Sequence, residues 1–241
     1  MVLPKIKHPK YTHHLVGLNK KVSYRPFTNA EQKILLLAKQ EEKNTSRILE
    51  AVMQILHNCI LDDIDIDNLS SFDMEDIFLR IRAKSVGEII KPRFSYKYTD
   101  EKGIEKTDFV NIEINIDDIK VVVEEKVDDK VIIDKEAQLG VKLRYPTLKI
   151  IREMKDTNDD IELISKCIVC VFDAENVYNR EDISDEEMIE FVDDIDMLNM
   201  KAINKFFSSI PRIEHKVEVT LPKLDNKKET ITFKGINDFF I

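Results

Sequence analysis

Apolar positions along this chain change period twice, and the changes divide it into blocks. Ile48, Leu49, Val52, Ile55, Leu56, Cys59 and Ile60 recur at steps of three, four and one, which predicts a helix with a single buried stripe. Ahead of it, Thr28-Asn29-Ala30-Glu31 has the spacing of a capping box and should open a helix through Ile34, Leu35, Leu37 and Ala38. A third helix is expected from near Asp73 to about Gly87, turning Met74, Ile77, Phe78 and Ile81 inward. Residues 1–27, broken by Pro4, Pro9 and Pro26, read as extended, with a short strand at Val22-Ser23-Tyr24-Arg25.

From Ile89 the period falls to two. Phe94-x-Tyr96-x-Tyr98, the turn-like Asp100-Glu101-Lys102-Gly103 and Phe109-x-x-Ile112-x-Ile114-x-Ile116 describe a hairpin. Further strands are expected at 119–127, 130–133 and 139–145, where Pro146 closes the region. Helical spacing then returns at 147–155 and 160–171. A second capping box, Ser184-Asp185-Glu186-Glu187, opens a helix through Met188, Val192 and Ile195, and another runs from Leu198 to Ile210 before Pro211. Val217-x-Val219-x-Leu221 and Thr230-Ile231-Thr232-Phe233, joined by a polar turn, form a closing hairpin.

Helices and strands therefore sit in blocks instead of alternating, and the predicted class is α+β. The blocks are a basic arm with a helical N-terminal block at 1–88, a central antiparallel β module at 89–146, and a C-terminal helical block with a terminal β-hairpin at 147–241. No apolar run approaches the roughly 20 residues that span a bilayer, so a membrane role is not expected.

Charge adds an asymmetry. The net charge is −9, yet no acidic residue precedes Glu31, while Lys5, Lys7, Lys10, Lys20, Lys21 and Arg25 do. A basic arm on an acidic body is suited to contact with acidic protein, either its own body or a neighbour. The acidic body repels phosphates, which excludes a dedicated nucleic-acid binder.

Candidate chemistry is thin. Asp117, Glu124 and Lys126, around the apolar run Ile119 to Val123, resemble the two carboxylates and lysine of a metal-dependent nuclease, in which the carboxylates hold magnesium. The competing reading makes them the solvated end of a strand. Asp62-Asp63-Ile64-Asp65-Ile66-Asp67 lacks the central glycine and final glutamate of a calcium loop. Cys167-x-x-Cys170 lies in an apolar run with no second pair and no histidine at ligand spacing, so both cysteines read as core residues. No glycine-rich phosphate loop or nucleophile motif is present. The expectation is a non-enzymatic protein with no cofactor and no metal.

Several segments resemble, in order and across nearly the whole chain, the baseplate hub family of T-even-type bacteriophages. They are Lys21-Val22-Ser23-Tyr24-Arg25-Pro26-Phe27, Glu31-Gln32-Lys33-Ile34-Leu35, Phe78 to Glu88, Leu143-Arg144-Tyr145-Pro146-Thr147, Val177-Tyr178-Asn179-Arg180 and Phe206 to Pro211. The resemblance implies a structural or assembly protein of the tail baseplate hub that works through protein–protein contacts. A related alternative is a transient tail assembly chaperone for the tape-measure protein or hub intermediates.

Implied partners are other hub or tail proteins, including the tape-measure protein, and a second copy of the chain. Implied locations are the host cytoplasm during assembly and the virion tail baseplate. Tyr24, Arg25 and Phe27 combine aromatic area with a planar donor, the types enriched at binding hot spots. Arg82, Lys84, Ser85, Phe239 and Phe240 complete the candidate partner-contact residues.

Overall fold

The computed structural model describes residues 4, 6–40, 45–124, 127–154, 159–235 and 238. Its class is α+β, with seven α-helices and five antiparallel sheets among those residues. They gather into two compact units that interleave along the chain. Unit 1 takes residues 1–64, 72–122 and 212–241, and unit 2 takes 65–71 and 123–211.

Unit 1 begins with a hairpin, β1 (Tyr11–Leu15) and β2 (Lys20–Tyr24), in register Tyr11 to Tyr24 and His13 to Val22. Asn19 takes a left-handed turn conformation, φ 49°. The sequence shows β1 poorly, because Thr12, His13 and His14 do not alternate in polarity and only Leu15 is fully buried. Helices α1 (Asn29–Gln40) and α2 (Thr45–Cys59) follow. The α2 stripe is as expected: Val52, Ile55, Leu56 and Cys59 are all buried.

Helix α3 (Ser71–Val86) is the central element of unit 1, buried almost all round at Phe72, Ile77, Phe78, Leu79 and Ile81. It stops where Gly87, at φ 109°, donates its N–H to Ala83 O at 3.1 Å. Short strand β3 (Ile89–Ile90) pairs with β6 (Ile114–Asn115) around the hairpin of β4 (Arg93–Thr99) and β5 (Glu105–Asn111). Asp100 closes that hairpin by accepting the N–H groups of Lys102 and Ile104. After a 3-10 turn at Ile116–Asp118 comes β7 (Lys120–Val122), much shorter than the expected strand over 119–127. It pairs with a strand returning from the far end of the chain.

Unit 2 starts with β8 (Lys130–Asp134) and β9 (Leu139–Leu143), followed by α4 (Leu148–Glu153) and α5 (Asp160–Cys167), which Asp159 caps. Here the expected helix over 160–171 is corrected: it ends at Cys167, and Ile168–Phe172 is strand β10. Ile168, Val169 and Val171 are β-branched, and pairing with β9 (Ile168 to Leu143, Val171 to Val141) prevails over helical continuation. Strand β11 (Val177–Asn179), also absent from the sequence reading, completes the order β11-β10-β9-β8.

Helix α6 (Asp185–Asp193) has the expected capping box of Ser184 and Glu187, and α7 (Met197–Ser208) is capped by Asp196. The core joins Val141, Leu143, Ile164, Ile168, Met188 and Phe206, with Tyr145 stacked on Phe206 at 4.8 Å. Each large side chain buried this way contributes about 1.5–3 kcal/mol. Gly140 permits the tight packing of β8, β9 and β10. A Cβ there would lie 2.5 Å from the Phe172 ring and 2.7 Å from Val131 O.

The chain then returns to unit 1 as β12 (Arg212–Leu221) and β13 (Lys227–Lys234), the closing hairpin, with Asp225 and Asn226 left-handed in its turn. β12 pairs with β7 through Ile213 and Val121, giving the order β13-β12-β7. Ile90, Ile112, Ile114, Ile116, Ile213, Leu221 and Phe233 pack beneath these strands with Leu79 of α3.

Candidate partner-binding surfaces

The polar residues of α3 determine what the N-terminal part of unit 1 can offer. Asp73, Asp76, Arg80 and Lys84, spaced three and four apart, share one helix face. The first three are buried. Asp73 accepts the N–H groups of Gly17 (2.9 Å) and Leu18 (2.8 Å), so the β1–β2 turn hangs from its carboxylate. Gly17 is required at that approach: a Cβ would lie 2.6 Å from Asp73 Oδ2 and 2.8 Å from the Phe72 ring.

Asp76 lies 2.6 Å from His13 Nε2 and accepts from Arg80 Nε at 3.1 Å. Arg80 in turn donates to Ile116 O at 2.9 Å and to Ile119 O, with Asp117 3.6 Å away. Lys84 pairs with Glu88, stands 3.8 Å from Asp117 and sits over the Tyr11 ring. Buried charge is tolerated when paired and hydrogen-bonded. Here the pairing ties the N-terminal hairpin and the 116–119 turn to one helix.

The candidate contact residues cluster beside this network. Tyr24 is buried, its ring tilted on Tyr11 at 5.8 Å, and burial raises its hydroxyl pKa against the opposing pull of Lys84 and Arg80. Arg25 donates to Glu31 at 2.9 Å and to Pro26 O at 2.9 Å. Burial favours the neutral form of Glu31, but hydrogen bonds from Arg25 and Thr28 prevail and hold its pKa down to about 2. The Phe27 N–H donates to Ser85 Oγ at 2.8 Å, and that hydroxyl donates to Ile81 O.

Residues 24–27 and 84–85 are thus brought together. Arg82 is different: its Nη1 is buried with no hydrogen-bond partner among the described residues, and burial lowers its pKa. Phe239 and Phe240 lie outside the described residues.

The catalytic candidates are not shown converging on one site. Asp117 is engaged by Arg80 and Lys84, and Lys126 lies outside the described residues. Glu124 falls beyond the end of β7, so the expected strand over 119–127 stops short of it. In the acidic run, Asp62 accepts the Ser23 N–H at 2.6 Å, and Asp65 accepts from Asp67 N and Asn68 Nδ2. Cys167 is fully buried, and burial pushes its thiol up to about 12. Among the described residues no group of three or more His, Cys, Asp or Glu is placed to hold a metal ion, and no helix is long and apolar enough to cross a membrane.

Unit 2 contains a surface that the sequence reading missed. A cleft of about 610 Å³ is bordered by Arg144, Lys149, Lys166 and Arg180 and by Glu153, Glu181 and Asp185. Lys166 lies 3.7 Å from Glu153 and 3.8 Å from Asp185, and Arg180 also pairs with Asp185. Arg144 and Lys149 are exposed, and neither has an ion pair among the described residues. The segments 143–147 and 177–180 border this cleft, yet in sequence they carry no chemical motif. Lys166, Arg180, Glu153 and Asp185 thus neutralise one another, while Arg144 and Lys149 carry charge without an ion pair among the described residues. That arrangement suits contact with a polar partner surface and provides no base–nucleophile pair.

A family model described as T4 bacteriophage base plate protein matches residues 8–241. No curated protein and no solved structure shows significant similarity. The match covers nearly the whole chain and both units, and so the chain belongs to the T4 bacteriophage base plate protein family, as a structural component of the phage tail baseplate.

Proposed function

We propose that this protein builds the hub of the baseplate, acting through protein–protein contacts and without catalysis. The carrying observation is the match over residues 8–241, to which the collinear hub-like segments add the finer assignment. The network on α3 supports a non-catalytic role, because its buried charges are used in holding the fold.

Two places are the proposed contact surfaces. The first is the neighbourhood of Arg82, whose buried Nη1 lacks an acceptor among the described residues and would gain one if partner binding opened this site to a carboxylate or carbonyl. The second is the unit 2 cleft, through Arg144 and Lys149. Exposed Met197 and Leu198 at the start of α7, 75% and 76% accessible, add apolar area on unit 2.

Quantitative mass spectrometry of purified phage particles tests the hub assignment. Peptides of this chain are expected in constant proportion to other hub proteins. If particles lack the chain while infected-cell tail intermediates contain it, the transient chaperone reading replaces the hub one. Constant proportion only to baseplate proteins outside the hub would remove the finer assignment and leave the family membership.

A further inference from the structure

We propose that unit 2 receives an extended, carboxylate-bearing segment of a neighbouring baseplate protein, which adds as a strand to β11 and delivers an acidic side chain to Arg144 and Lys149. This rests on the reading of the unit 2 cleft as a contact surface and names what the cleft would hold.

Three strands bring an open edge and the cleft together. β9 ends at Leu143 beside Arg144, β10 begins at Ile168 paired with Leu143, and β11 ends at Asn179 opposite Cys170. Arg144, Val169, Asn179 and Arg180 all line the cleft, so it lies at that end of the sheet. β11 is outermost in the order β11-β10-β9-β8, and among the described residues no strand pairs with its outer side. The Asp173 N–H donates to Asn176 O at 3.0 Å, and hydrogen-bonded pairs alternate along an antiparallel ladder. Tyr178 therefore bonds with Val171, while Val177 and Asn179 turn their N–H and C=O groups outward.

Charge does not blunt this edge, as it does on many outer strands. Val177 and Tyr178 are exposed, and the Tyr178 hydroxyl donates to Asp173 at 3.0 Å, which tethers its ring. A strand laid here would bond to the outward backbone groups and cover both side chains.

The cleft sets the charge of the segment. Arg144 donates to Lys166 O at 3.4 Å, which steadies its guanidinium, and its other side-chain N–H groups have no acceptor among the described residues. A planar guanidinium matches a carboxylate through two parallel hydrogen bonds, and Lys149 adds a second exposed cation from α4. Four cations and three carboxylates line the cleft, an excess of positive charge in a chain whose net charge is −9. A polyphosphate would be repelled by the acidic body, whereas one acidic side chain is matched by Arg144 and Lys149 alone.

The test replaces Val177 with the photo-crosslinker p-benzoylphenylalanine in the full chain, assembles it into phage tails in infected cells and maps the products by mass spectrometry. Links to another baseplate protein are expected, with an Asp or Glu within about two to four residues of the linked position, because a strand rises about 3.3 Å per residue. Changing that acidic residue to lysine should raise incorporation of the Arg144→Glu/Lys149→Glu chain several-fold. Links only to segments without a nearby carboxylate, links only between copies of this chain, or no rescue would overturn the inference without removing the cleft as a contact surface. Absence of links from Val177 while Lys149 links to a neighbour would do the same. Absence of links from both positions would remove the contact surface as well.

Discussion

The two units use charge in opposite ways. In unit 1, Asp73, Asp76 and Arg80 are buried on α3 and hold the N-terminal hairpin and the 116–119 turn. In unit 2 the core is apolar, and the notable charges stand around an open cleft. The contrast separates charges that build the protein from charges available to partners. Removing the first kind should unfold structure, whereas removing the second should leave it folded.

The largest effect is expected from Asp76→Ala, which takes the carboxylate from His13 and Arg80. Breaking one side of a buried pair costs about 3–5 kcal/mol. Hydrogen exchange should show faster exchange across residues 11–24 and 72–86, with unit 2 amides unchanged. Equal acceleration in both units would abolish the distinction.

The apolar counterpart is Gly140→Ala. The added methyl meets Val131 O and Phe172 at distances that force movement, so unit 2 should lose about 1–3 kcal/mol. Unit 1 amides should keep their protection.

A smaller, pH-dependent effect belongs to Glu31. Its carboxyl titrates at about 2 in the folded protein against 4.5 ordinarily, so between those values the unfolded chain takes up a proton that the folded one does not. Its contribution is fully present above about 4.5 and is lost as pH falls towards 2. Glu31→Gln should flatten that part of a stability–pH curve, and an unchanged slope would refute the assignment.

The smallest stability effect should come from Arg144→Glu combined with Lys149→Glu. These side chains are exposed, so stability should stay within about 0.5 kcal/mol of the parent. The variant should nevertheless enter phage particles poorly. Normal incorporation would remove the cleft from the contact surfaces.

Local patterns made much of this fold legible. The α2 stripe, the Ser184 capping box and both long hairpins appear in sequence because each is set by residues a few positions apart. What stayed hidden depends on distant partners. β10 reads as helix until β9 pairs with it, and β7 joins β12 from a remote part of the chain.

The charged network escaped notice because Asp73, Asp76 and Arg80 look like solvated helix positions, and it takes the hairpin and the 116–119 turn to make them interior. Lys84 and Ser85 were legible as candidates, but not their ties to Glu88, Asp117 and Phe27. The unit 2 cleft draws on separated segments, none of which signals a site alone.

Crosslinking mass spectrometry on intact, purified phage tails tests most directly whether this molecule acts by contact. The account predicts links from lysines near the unit 2 cleft, Lys149 and Lys166, and from Lys84 beside Arg82, to other baseplate proteins. A chain present in the tails with both surfaces open to solvent and linked to no neighbour would contradict it.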